Sequence, residues 1–214
     1  MNGGDGSTAV GSSYEAFCER NRCAALALAW ALSGDRAEAA DLVDDAFAEA
    51  GRSWRKIGRY DDPDAWVRWA IARRAVPPFG RKRSRRRAGA GPNVGRSRLG
   101  EAPALDRDDE RFWREVRALP ARQARCLALT YLEDRPPSDV ARVVGCTVST
   151  ARHHVERGRL ALTGRRRTDQ GQAVEEAMDL AWVDTRGRRA AAALREAVAI
   201  AMAAAALTLV GSAS

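Results

Sequence analysis

Lysine is nearly missing from this chain: of its 36 basic residues only Lys56 and Lys82 are lysines. Arginine carries the rest, and its planar fork suits bidentate contact with phosphate and guanine. A GC-rich coding sequence accounts for that ratio, but not for a net charge of +8 and a pI near 10.1, which favour a nucleic-acid partner. Cysteine is scarce, with four residues and no CxxC pair. Cys18 and Cys23 do not share a helical i, i+4 face, and Cys126 and Cys146 fall in separate helical segments, so no metal set forms. Buried free thiols in a reducing cytoplasm are expected instead. The two histidines, His153 and His154, are adjacent and point in different directions on a helix, which makes them poor co-ligands. A Gly-rich phosphate loop is missing, as is any nucleophile–base pair at a credible spacing, so no enzyme and no cofactor are expected. Residues 1–13 lack the basic and apolar regions of a signal peptide and read as a flexible tail. No alternating strand pattern of useful length occurs, so the fold class is all-α.

The most informative segment is 119–162. Ala124, Leu127, Ala128 and Tyr131 recur at helical spacing and predict one scaffold helix. Arg135, Pro136 and Pro137 stop it, and Ser138 can open a short helix whose inner stripe is Val140, Ala141, Val143 and Val144. Gly145 closes that helix and Thr147 is the N-cap of the next, beginning near Val148. Ala151 and Val155 then point inward, leaving Thr150, Arg152, His153, His154 and Arg157 outward. This is a helix-turn-helix whose second helix is built to enter a major groove, with Thr147 and those outward side chains as its DNA-facing set.

Upstream, Tyr14, Phe17, Ala24, Ala25, Leu28 and Leu32 mark a first helix ended by Ser33 and Gly34. Asp35 starts a second, with Val43, Ala46, Phe47, Ala50, Trp54 and Ile57 as its stripe. Asp62 followed by Pro63 signals a third, which runs through Trp66, Trp69 and Ile71 and stops near Val76, ahead of Pro77 and Pro78. Residues 79–106 are rich in Gly, Pro and Arg and read as a basic linker, its 81–87 run being suited to phosphate attraction.

The order of these parts resembles the extracytoplasmic-function group of bacterial sigma factors, small two-domain members of the sigma-70 family. The resemblance spans 14–167 and rests on SGDRAEAADLVDDAFAEAGRSW (33–54), DPDAWVRWAIARR (62–74), ALPARQARCLALTYLED (118–134) and SDVARVVGCTVSTARHHVERGRLAL (138–162). It implies a helical domain over 14–78, the linker 79–106, and a helix-turn-helix domain over 107–167. It also implies that the second helix docks on core RNA polymerase through Asp41, Leu42, Asp44, Asp45 and Phe47, with Val43 beside them. Asp41, Asp44 and Asp45 form an acidic edge at helical spacing; for Val43 and Phe47 core packing is the stronger reading. The third helix would trap unstacked −10 bases with Trp66, Arg68, Trp69, Arg73 and Arg74, at least one tryptophan being core. The chain departs from the family at Asp44, where Gln is usual, at Arg74, where Asn is common, and at Pro77 and Pro78, which cut a helix that normally continues.

The tail, 168–214, lies outside the resemblance. Ala173, Val174, Ala177, Leu180 and Ala181 predict one helix, Thr185, Arg186 and Gly187 break it, and 190–210 predicts another. The apolar run 197–210 is short of the roughly 17–25 residues that span a bilayer. Docking on protein is the favoured reading, ahead of membrane contact. The expected activity is that of a non-enzymatic, cytoplasmic transcription initiation factor that binds promoter DNA and core RNA polymerase, with an anti-sigma factor as a further partner. The alternatives are a helix-turn-helix regulator, or a degenerate sigma-like adaptor that does not open promoters.

Overall fold

The computed structural model describes residues 5–75, 104–170 and 176–211. All of the regular elements among them are helices. The first is α1 (Asp5–Ser33), whose backbone starts upstream of the expected first residue, Tyr14. Gly34 ends it at φ 78°, a left-handed conformation that costs glycine little, with its N–H bonded to the Trp30 carbonyl at 2.8 Å. Asp35 then caps α2 (Arg36–Arg52), its carboxylate accepting from the Glu38 N–H at 2.8 Å. A one-turn helix α3 (Trp54–Ile57) leads to α4 (Pro63–Ala75), where Asp62 accepts from the Ala65 N–H at 2.8 Å and Pro63 takes the first helical position. The helix ends at Ala75, next to the Val76 stop expected from the prolines. Pro77, Pro78 and the linker up to 103 lie outside the described residues.

The inner stripes of these helices meet in one core of Phe17, Leu28, Val43, Ala46, Phe47 and Ile71, all buried. Trp54 is only half-buried, its ring 4.7 Å from Phe17 and 5.4 Å from Tyr14 between centroids.

The second half begins with α5 (Arg107–Arg117), capped by Asp106, which accepts from the Asp109 N–H at 2.8 Å. Next come α6 (Ala121–Glu133), ended by Asp134 at φ 48°, and α7 (Pro137–Val144), which starts one residue before the expected Ser138. Proline fits there because the first N–H of a helix has no partner in its own turn. Gly145 at φ 72° closes α7, and Thr147 receives the Thr150 N–H at 3.2 Å as α8 (Val148–Gln170) begins. The expected caps at Gly145 and Thr147 are both present.

The tail corrects the sequence reading. A single helix, α9 (Glu176–Gly211), runs straight through Thr185, Arg186 and Gly187, where a break between two helices was expected. Thr185 does not interrupt the helix; its hydroxyl bonds back to the Ala181 carbonyl at 2.9 Å. Gly187 is buried against the Tyr131 ring, so it serves close packing rather than termination. Val183, Ala190, Ala191, Leu194, Ala197, Val198 and Ala201 bury the inner face of α9 on α1, α5, α6 and α8. No helix among the described residues is long and apolar enough to cross a membrane.

Polar bonds fix the register of α9. The indole of the fully buried Trp113 donates to the Ala190 carbonyl at 3.1 Å, and the Tyr131 hydroxyl bonds Asp184 at 2.8 Å. Arg195 donates to the Leu132 carbonyl at 2.8 Å, and Arg189 pairs with Asp106. The two halves of the chain also meet directly, with α1 against α5 and α6, and α4 against α7. Arg117 reaches the Ala31 carbonyl at 3.3 Å, placing a cation at the C-terminal end of α1, where the helix dipole is negative.

Candidate nucleic-acid interface

The turn made by Gly145, Cys146 and Thr147 sets the angle between α7 and α8, and Ala151 anchors the start of α8 in the core at 1% exposure. With Ala151 inward, Thr147, Arg152, His153 and Arg157 stand exposed, while Thr150 is half-buried. Thr147 also bonds the Thr150 hydroxyl at 2.7 Å, which ties the cap to the first turn. Farther along, α8 turns inward: Gly158 lies against Leu127, and Arg159 pairs with Asp184 of α9. The exposed polar edge of Thr147, Arg152, His153 and Arg157 thus lies along the N-terminal half of α8, the part a recognition helix presents to base edges.

His154 differs from its neighbours. It is half-buried, and its Nε2 is enclosed without a hydrogen-bond partner among the described residues. Burial, then the Arg122 charge and then His153, hold its pKa below the ordinary 6.5. The imidazole is thus neutral at pH 7 and packs beside the helix instead of adding charge to its outer edge. Arg122, exposed near the start of α6, does add charge there. Its contribution was not evident from periodicity, because it belongs to the scaffold helix; only its place near the start of that helix, in the run Ala121 to Arg125, hinted at it.

On α4 the sequence-derived set divides into three groups. Trp66 and Trp69 are both half-buried and pack together at 6.2 Å between centroids, and the Arg73 guanidinium lies 4.7 Å from the Trp69 centroid. These three form an aromatic and cationic platform beside a hollow that Tyr60, Asp62, Trp66, Trp69 and Arg142 line. Arg74 instead turns toward α2, pairing with Glu49 and donating to the Ala70 carbonyl at 3.2 Å. Arg68 faces the other half of the chain and pairs with Glu133 at the end of α6.

Along α2, Asp41 and Asp45 are exposed, and Asp44 is half-buried 3.7 Å from Arg22. Burial raises the Asp44 pKa, against the lowering effect of Arg22. Leu42 and Phe47, expected among the docking residues, are both 4% exposed and belong to the core; Phe47 packs edge-on against Phe17 at 6.3 Å. A helix with a broad apolar stripe buries whatever falls on it, so only the aspartates remain at the surface.

The cysteines form no disulfide. Cys126 is buried and its thiol pushed up to about 12 by desolvation, and Cys18 and Cys146 are half-buried. Cys23 is exposed, contrary to the expectation of buried thiols throughout. Among the described residues no group of His, Cys, Asp and Glu could hold a metal ion.

Residues 109–162, about a quarter of the chain, match the sequence model of the family described as sigma-70, region 4. The match begins inside α5 and ends in α8, so it takes in the helix-turn-helix and its scaffold. No curated protein and no solved structure matches the chain. That segment is folded as four successive helices, with the turn glycine, the cap and the exposed basic edge in place, and it is over these residues that the chain is similar to sigma-70, region 4.

Proposed function

We propose that the chain is a promoter-specificity factor of the extracytoplasmic-function group, acting with core RNA polymerase in the cytoplasm. The observation that carries this reading is the exposed Thr147, Arg152, His153 and Arg157 edge on the N-terminal half of α8, inside the matched segment. Entered into the major groove of a −35 duplex, that edge places arginine forks where guanine O6 and N7 are read and where phosphates lie. The Trp66, Trp69 and Arg73 platform suits unstacked bases and phosphates of the −10 strand, which stack on aromatic faces and pair with cations. Asp41 and Asp45 offer an acidic edge to a basic surface of the polymerase.

Co-purification of core polymerase with the wild-type chain and with Asp41→Arg/Asp45→Arg tests the polymerase contact. The wild type should retain polymerase and the charge reversal should lose it. Equal recovery would leave a helix-turn-helix regulator that binds DNA alone as the better account. That second reading draws on one observation: Arg68 and Arg74, two of the five residues assigned to the −10 strand, are engaged in ion pairs.

A further inference from the structure

We propose that Glu133 sits on α4 where a DNA phosphate would sit, so that the helix-turn-helix half masks the strand-facing side of the other half. The inference rests on the reading that α4 meets the −10 strand. Arg68 donates through Nε to Glu133 Oε2, and the two side chains are 11% and 6% exposed. That same oxygen accepts from Arg135 Nε at 2.7 Å. Arg135 in turn lies 3.8 Å from Asp62, and Arg142 donates to Asp62 at 3.2 Å. Charges thus alternate across the contact between α4 and the α6–α7 corner, from Arg68 through Glu133, Arg135 and Asp62 to Arg142. Arg142 also walls the hollow beside Trp66 and Trp69.

Two features make this contact exchangeable. A buried ion pair gains little over its desolvation cost, so it holds two surfaces in register without binding them tightly. This pair is also incomplete: Arg68 Nη1 and Glu133 Oε1 are buried without a hydrogen-bond partner among the described residues. A phosphate is the same kind of acceptor, an anionic group with several oxygens, and can engage both nitrogens of the fork. The exposed edge of α8 takes no part in the contact. The closed chain can therefore read duplex DNA, while α4 is released to a strand only when Glu133 withdraws.

The test uses the full chain, a labelled single-stranded oligonucleotide, a duplex, and solution X-ray scattering for overall dimensions. Glu133→Gln should bind the strand about tenfold more tightly than wild type, the scale of one charge-assisted contact, and should scatter as a more extended particle. Duplex affinity should stay unchanged. Glu15→Gln, at an exposed carboxylate on α1 that is no member of this network, makes the same change in net charge and should give no gain. Adding Arg68→Ala to Glu133→Gln should erase the gain. Should Glu133→Gln fold poorly, Arg142→Ala, at an exposed member of the network, should give a smaller gain in the same direction. Equal gains from Glu133→Gln and Glu15→Gln would overturn the proposal, as would no gain with unchanged scattering. Expansion without gain would show closure without masking, and would remove α4 from the strand-binding reading itself.

Discussion

Gly187 of α9 lies so close to Tyr131 of α6 that a β-carbon at Gly187 would come within 2.8 Å of the ring. The ring cannot swing aside easily, because its hydroxyl is tied to Asp184 at 2.8 Å. In an open helix, Gly→Ala gains up to about 1 kcal/mol of helix propensity. At Gly187 the overpacking should cost more than that gain, roughly 1–3 kcal/mol. At Gly164 of α8 an added β-carbon meets nothing within 4 Å, so the propensity gain should survive. Urea unfolding of Gly187→Ala and Gly164→Ala should therefore shift in opposite directions, the first losing stability. A stabilised Gly187→Ala would mean that α9 does not pack on α6 this way.

The same glycine shows where the sequence was legible and where it was not. Gly34, Asp35, Asp62, Pro63, Gly145 and Thr147 act on their own neighbours through caps and backbone conformation, so their roles could be read locally. Gly187 was read as a helix breaker by the same local rule, but its role is set by a ring on a different helix. The residues that the resemblance assigned to the −10 strand show a similar limit. Trp66, Trp69 and Arg73 lie together on α4, whereas Arg68 finds its partner 65 positions away, which spacing along one helix cannot reveal. For Phe47 the sequence already favoured the core over the docking role, for Leu42 it favoured neither, and packing of α1 on α2 places both in the core.

His154 should give the stability a pH dependence of defined sign. Its folded pKa lies below the ordinary 6.5, so below that pH the unfolded chain binds a proton that the folded chain resists. The contribution is therefore complete above about pH 6.5 and lost as the pH falls through the folded value. Comparing unfolding midpoints of wild type and His154→Gln from pH 8 to pH 5 isolates it from the carboxylates. The wild type should lose more stability than the variant on acidification. Parallel profiles would show that His154 is not held neutral by its surroundings.

Arg152 and Arg157 should separate into base and phosphate contacts when each is changed to alanine. A lost base contact costs about 1–3 kcal/mol and relaxes specificity at one position, whereas a lost phosphate contact weakens all sequences alike and reduces the salt slope. Titration of a selected −35 duplex at several salt concentrations reads both effects, and wild-type binding should fall steeply with salt. Wild-type affinity in both variants would remove the N-terminal half of α8 from the interface.

Run-off transcription with purified core polymerase tests the central claim most directly, because it requires both polymerase engagement and promoter reading by the same chain. On a template carrying a promoter selected for this factor, adding the wild-type chain should produce a specific transcript that core polymerase alone does not make. Arg152→Ala/Arg157→Ala should lose that transcript while still retaining core polymerase. A wild-type chain that binds the promoter duplex yet yields no transcript above core polymerase alone would contradict the account.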